Sequence, residues 1–95
     1  LLHTLSKSPE HPAFSQCLSV LHREDAVLLM ADGVYAAIAG SHAAEALINS
    51  GASIHTLEND AIAAGITSVA DGITPLSMEG FVALTEQFPR QVAWY

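Results

Sequence analysis

The chain has 95 residues, a formal net charge of −7 and only three basic residues, Lys7, Arg23 and Arg90. Nucleic-acid binding draws its affinity from lysine and arginine neutralising phosphates, so this balance argues against direct contact with nucleic acid and against an anionic membrane surface. Hydrophobic residues make up 51% and charged residues 14%, against about 25% charged in an average soluble domain.

That leaves too little charge to cover a monomer, and the excess is read as an apolar face meant for another subunit. The length fits a single small domain over residues 1–95 with a limited core. No apolar run reaches membrane-spanning length, and no basic flank precedes a long apolar stretch, so no signal peptide is expected. Cys17 is the one cysteine, which rules out an internal disulfide and points to the reducing cytosol.

In chain order, Leu1–Leu5 reads as a first strand and Ser6–Pro12, with two prolines, as a loop. A helix starts at Ala13, where Phe14, Cys17, Leu18 and Leu21 fall on one face. It ends near His22–Asp25. The run from Ala26 to Ala31 has no polar alternation, which suits a strand buried on both faces. It stops at a turn, Asp32-Gly33, followed by a helix-compatible Val34–Ala39. Ser41 caps a helix over His42–Ile48. Ser53–Leu57 is a third strand, Glu58-Asn59-Asp60 a polar loop, and Ala61–Ala64 a short helix ended by Gly65. Ile66–Gly72 carries no clear signal. Ile73–Leu76 is a fourth strand, placed at an edge or made irregular by Pro75. Ser77 caps a last helix, Met78–Phe88, with Met78, Phe81, Val82, Thr85 and Phe88 on a shared face. Gln91–Tyr95 is a final strand. Strands alternating with helices predict a three-layer α/β/α fold with a mainly parallel sheet of about five strands.

Chemistry has few places to sit. Cys17 is the only sulfur nucleophile, yet it lies on an apolar stripe; a buried structural thiol competes with a persulfide carrier. The five histidines show no metal-ligand spacing, so no metal is expected. His3 and His55 lie on predicted strands and can approach each other, or each is simply a satisfied strand histidine. Asp32-Gly33 and Asn59-Asp60 follow strands, but no phosphate-binding glycine motif is present and carboxylates repel phosphate; turn and cap roles account for them. No serine-hydrolase elbow occurs. No cofactor is implied. The terminal Trp94-Tyr95 is packed, either inside the fold or against a partner, and with Tyr35 forms the candidate subunit interface.

Five blocks then resemble the TusB/DsrH family of sulfur-relay proteins. They are Leu2-His3-Thr4-Leu5 with Lys7-Ser8-Pro9, Leu28 to Ala37 around Asp32-Gly33, and Leu57-Glu58-Asn59-Asp60 with Ala64-Gly65-Ile66. Gly80-Phe81-Val82-Ala83-Leu84-Thr85 and Gln91-Val92-Ala93-Trp94 complete the set. They run in order over almost the whole chain. The resemblance implies a DsrE/F/H-like fold and a non-catalytic B-type subunit in a complex with TusC-like and TusD-like subunits, arranged as a dimer of heterotrimers. Such a complex passes persulfide sulfur from TusA to TusE for 2-thiolation of the wobble uridine of certain tRNAs. The essential cysteine there belongs to the D-type subunit. The DsrH proteins of sulfur oxidisers, however, carry a cysteine at a position similar to Cys17, so a sulfur carrier in oxidative sulfur metabolism is the alternative.

Overall fold

A computed structural model describes residues 1–94. Its elements are β1 (Leu2–Leu5), α1 (Pro12–Ser19), β2 (Ala26–Leu29), a 3-10 helix (Ala31–Ala37), α2 (His42–Asn49), β3 (Ser53–Leu57), α3 (Glu58–Ala63), β4 (Ile73–Leu76), α4 (Met78–Gln87) and β5 (Gln91–Trp94). The five strands form one sheet in the order β4-β3-β2-β1-β5, and every pairing is parallel. The three-layer fold expected from strand–helix alternation is therefore present. Tyr95 and its share of the final strand lie outside the described residues.

β2 is the central strand, and all four of its residues are buried. An unbroken apolar run is what a strand needs when both faces are covered. The parallel register decides which side chains share a face. Leu5, Val27, Leu29 and Ile54 meet Phe14 and Cys17 of α1, Ala36 and Ala37 of the 3-10 helix, and Ala44 and Leu47 of α2. Leu2, Ala26 and Leu28 point the other way, onto Leu84 of α4 with Phe81 and Phe88 beside it. Pro75 is tolerated because β4 is an edge strand, where a missing ladder donor does least harm.

The helix starts follow side-chain caps. His11 Nδ1 accepts from Ala13 N–H at 3.1 Å, Ser41 Oγ from Ala44 N–H at 3.2 Å and Ser77 Oγ from Gly80 N–H at 3.1 Å.

Three elements and one helix face differ from the expectation. α1 ends at Ser19, where the Val20 N–H closes the last turn on the Cys17 and Leu18 carbonyls; Leu21 still packs on the core, but from the following loop. Glu58-Asn59-Asp60 is no loop. It is the first turn of α3, which leaves β3 directly, with its carboxylates at the end of the helix dipole that favours them. Asp32-Gly33 falls inside a 3-10 helix that begins at Ala31, rather than making a turn before a helix. On α4 the buried residue is Leu84, flanked by Phe81 and Phe88, while Met78 and Val82 are 55% and 51% exposed. α4 carries apolar residues on more than one side, and the sheet takes those, Leu84 with Phe81 and Phe88, that pack on Leu2, Ala26 and Leu28. The stretch Ile66–Gly72, without a clear signal in sequence, returns beside the 3-10 helix: Ala39 N–H donates to the Ser68 carbonyl and Ala70 N–H to the Ala37 carbonyl.

Candidate functional site

Partners of open parallel sheets usually meet the carboxyl ends of the strands. Here that edge is built by the loop after β1, the 3-10 helix after β2 and α3 after β3. Tyr35 stands out of the 3-10 helix, 41% exposed, with Ile38 at 39%. It borders three shallow concavities. The largest, about 590 Å³, is lined by Pro9, Glu10, Ile38, His42 and Ala43. A second, about 270 Å³, runs over Asp32, Asp60 and Ala63, and a third, about 220 Å³, over Ala64 and Ile66. The edge thus combines an apolar floor with carboxylates, a poor site for phosphate and a good one for a protein surface.

A strained residue anchors this edge. Ala31 has φ 48°, the left-handed region that costs a residue with a β-carbon about 1–2 kcal/mol. Its N–H donates to Asp60 Oδ2 at 2.7 Å, so α3 clamps the start of the 3-10 helix. Asp60 therefore ties two elements together instead of capping its own helix.

Cys17 is fully buried among the residues that α1 presses onto the sheet. Burial, and then the nearby Asp25 carboxylate, push its thiol up to about 12. At pH 8 such a thiol holds more than about a thousandfold less thiolate than a free cysteine, and the thiolate is the reactive form. The folded chain is expected to resist a disulfide reagent such as dithionitrobenzoate at pH 8 and to release one thiol on denaturation. Labelling of the folded chain at a rate within about tenfold of the unfolded one would contradict this burial.

His3 and His55 do not approach each other. The register aligns His3 with Val27 and Ile54 on one face, whereas His55 aligns with Leu28 on the opposite face. His55 sits by a concavity of about 390 Å³ between β3 and α4. Burial pushes its pKa down, and its Nδ1 has no protein partner among the described residues.

His3, by contrast, is fully engaged. Trp94 Nε1–H donates to His3 Nδ1 at 3.0 Å, which leaves the imidazole proton on Nε2, facing Asp25 Oδ2 at 3.0 Å. The two rings lie roughly parallel, with centroids 6.1 Å apart. Asp25 Oδ2 also accepts the His22 backbone N–H at 3.0 Å. Burial alone raises this carboxyl, but the bonds from His3 and His22 outweigh it and hold Asp25 below the usual carboxylate range. Trp94 accordingly packs inward on the core and is partly buried. Carboxylate, imidazole and indole make a relay that ends on an N–H donor rather than a nucleophile, so its chemistry is that of a fastener. Nothing local in the sequence pairs His3 with Asp25. Asp25 immediately precedes β2, and only the parallel β1–β2 pairing brings it beside His3. Among the described residues no group of carboxylates, histidines and cysteine could hold a metal ion, and no helix is long and apolar enough to cross a membrane.

Comparison with known proteins adds the lineage. A family model described as DsrH like protein matches residues 7–91. Protein TusB of Sodalis glossinidius is 41% identical over 95 residues, covering 99% of this chain and all of that protein. Protein TusB of Yersinia pestis (strain Pestoides F) is 40% identical over the same length and coverage. The solution structure of protein Tm0979 from Thermotoga maritima superimposes with a TM-score of 0.69 over 92% of this chain and 93% of that one, at 18% identity, a likeness of fold. With the parallel five-stranded sheet and a full-length match to these relatives, the chain belongs to the TusB/DsrH family.

Proposed function

We propose that this chain is the structural, non-catalytic B-type subunit of a cytoplasmic sulfur-relay complex. Its partners are a TusC-like and a TusD-like subunit, in a dimer of heterotrimers. The complex takes persulfide sulfur from TusA and hands it to TusE for 2-thiolation of the wobble uridine in tRNA. The observation that carries this reading is the end-to-end likeness to proteins named TusB. Two physical features support it. The acidic surface suits a subunit that leaves tRNA to other chains. Cys17 is enclosed and held as a thiol, which suits a core residue and disfavours the DsrH-like alternative of a sulfur carrier using Cys17. No cofactor enters the reading. The partner surface is proposed to include Tyr35 at the carboxyl edge and Trp94 at the end of β5, with Tyr95, which follows it in sequence.

Labelled persulfide sulfur followed through the reconstituted complex tests the role. With Cys17→Ser or Cys17→Ala, transfer to TusE is expected to stay within about twofold of wild type, since a thiol with almost no thiolate cannot relay sulfur. Abolished transfer with an intact complex would assign the carrier role to Cys17 instead. The alanine variant guards against a fold defect from placing a serine hydroxyl in an apolar pocket.

A further inference from the structure

An indole N–H can donate to a neutral imidazole but not to a protonated nitrogen. His3 Nδ1 is the acceptor that ties Trp94, and with it the carboxyl end of the edge strand β5, to the interior. Asp25 Oδ2, on the other side of the ring, accepts from Nε2–H and can go on accepting it when Nδ1 also carries a proton. The same histidine thus has one neighbour that needs Nδ1 bare and one that serves either form. Among the described residues, few titratable groups adjoin His3 or its partner Asp25. The loop before β2 contributes Asp25, α1 contributes Cys17, which is buried and senses Asp25, and the Leu1 backbone nitrogen lies 3.3 Å from Asp25 Oδ1. The flanking valines of β2 and β5, Val27 and Val92, bring no charge.

We propose that Asp25, His3 and Trp94 form a proton-operated latch on β5, with His3 as the positioning residue. A proton taken from solvent by Nδ1 leaves two N–H groups face to face, so the indole swings away while Asp25 retains the imidazolium. The far end of β5 then loosens, and Trp94 leaves its packed position. This deepens the reading above, because Trp94 belongs to the proposed partner surface. The latch itself is a property of the isolated chain, so failure of assembly and failure of the latch are separate results.

Trp94 is the single tryptophan, which makes the latch directly visible. The probe is its indole N–H resonance, followed with indole emission on the full chain over about pH 5–8, the range in which histidines ordinarily change charge. Circular dichroism monitors that the chain stays folded. The expected result is a downfield indole proton at the high end that moves upfield and loses its protection against exchange, relative to a free indole at the same pH, as pH falls, in a one-proton transition. His3→Asn puts an amide oxygen near the place of Nδ1, so the indole should stay bonded and lose its pH dependence. A wild-type indole signal that does not change while the chain is folded would overturn the latch. So would a transition of the same size in His3→Asn, which would place the sensor elsewhere.

Discussion

Gly33→Ala is expected to lower stability by about 3 kcal/mol or more, measured as the midpoint shift of a urea unfolding curve at unchanged slope. A β-carbon built at Gly33 would lie 2.0 Å from the Leu5 carbonyl oxygen and 2.9 Å from its carbon. The obstacle is backbone, and that carbonyl already accepts the Met30 N–H at 3.0 Å. Neither partner can yield without dragging β1 from β2 or lifting the 3-10 helix that carries Tyr35. Gly33 is thus required by close approach, and the left-handed conformation is instead borne by Ala31. A variant within about 0.5 kcal/mol of wild type would mean that the 3-10 helix does not sit on the end of β1.

Asp25→Ala should cost about 2–4 kcal/mol, because it leaves a fully buried donor, His3 Nε2–H, and a part-buried one, the His22 backbone N–H, without an acceptor. The pH dependence has a definite sign. The Asp25 carboxyl is held below its ordinary value in the fold, so its contribution is complete above the unfolded carboxylate range and disappears as pH falls through the folded value. Wild-type stability should therefore drop on acidification more steeply than that of Asp25→Ala, and the two curves should converge at low pH. Parallel curves from neutral pH into acid would show that Asp25 carries no such linkage.

Much of this fold can be read from one dimension. The apolar run that became β2, the serine caps at Ser41 and Ser77, and the prolines flanking α1 and α4 are local signals, and local physics honours them. What escaped depends on partners distant in sequence. Nothing near Asp60 says that its carboxylate will hold the Ala31 N–H, 29 positions away. Its neighbours Glu58 and Asn59 look like loop residues until the helix forms around them. On α4, Met78 and Val82 compete with Leu84 for the sheet, and only the shape of the opposite layer decides. The site shows the same division. Cys17 falls on the apolar stripe of α1, and that stripe is what buries it. The relay through His3 cannot be seen, because it joins residues from the first and last strands with a loop between α1 and β2. His3 and His55, both on strands, are kept apart by the alternation of side chains across the sheet.

Assembly is the direct test of the account. Co-expression of this chain with its C-like and D-like counterparts, followed by size-exclusion chromatography with in-line mass measurement, should yield one particle with all three subunits in equal amounts and the mass of two heterotrimers. A chain that elutes alone as a well-behaved monomer, while the other two associate without it, would contradict the proposal that its surplus apolar surface is made for those partners.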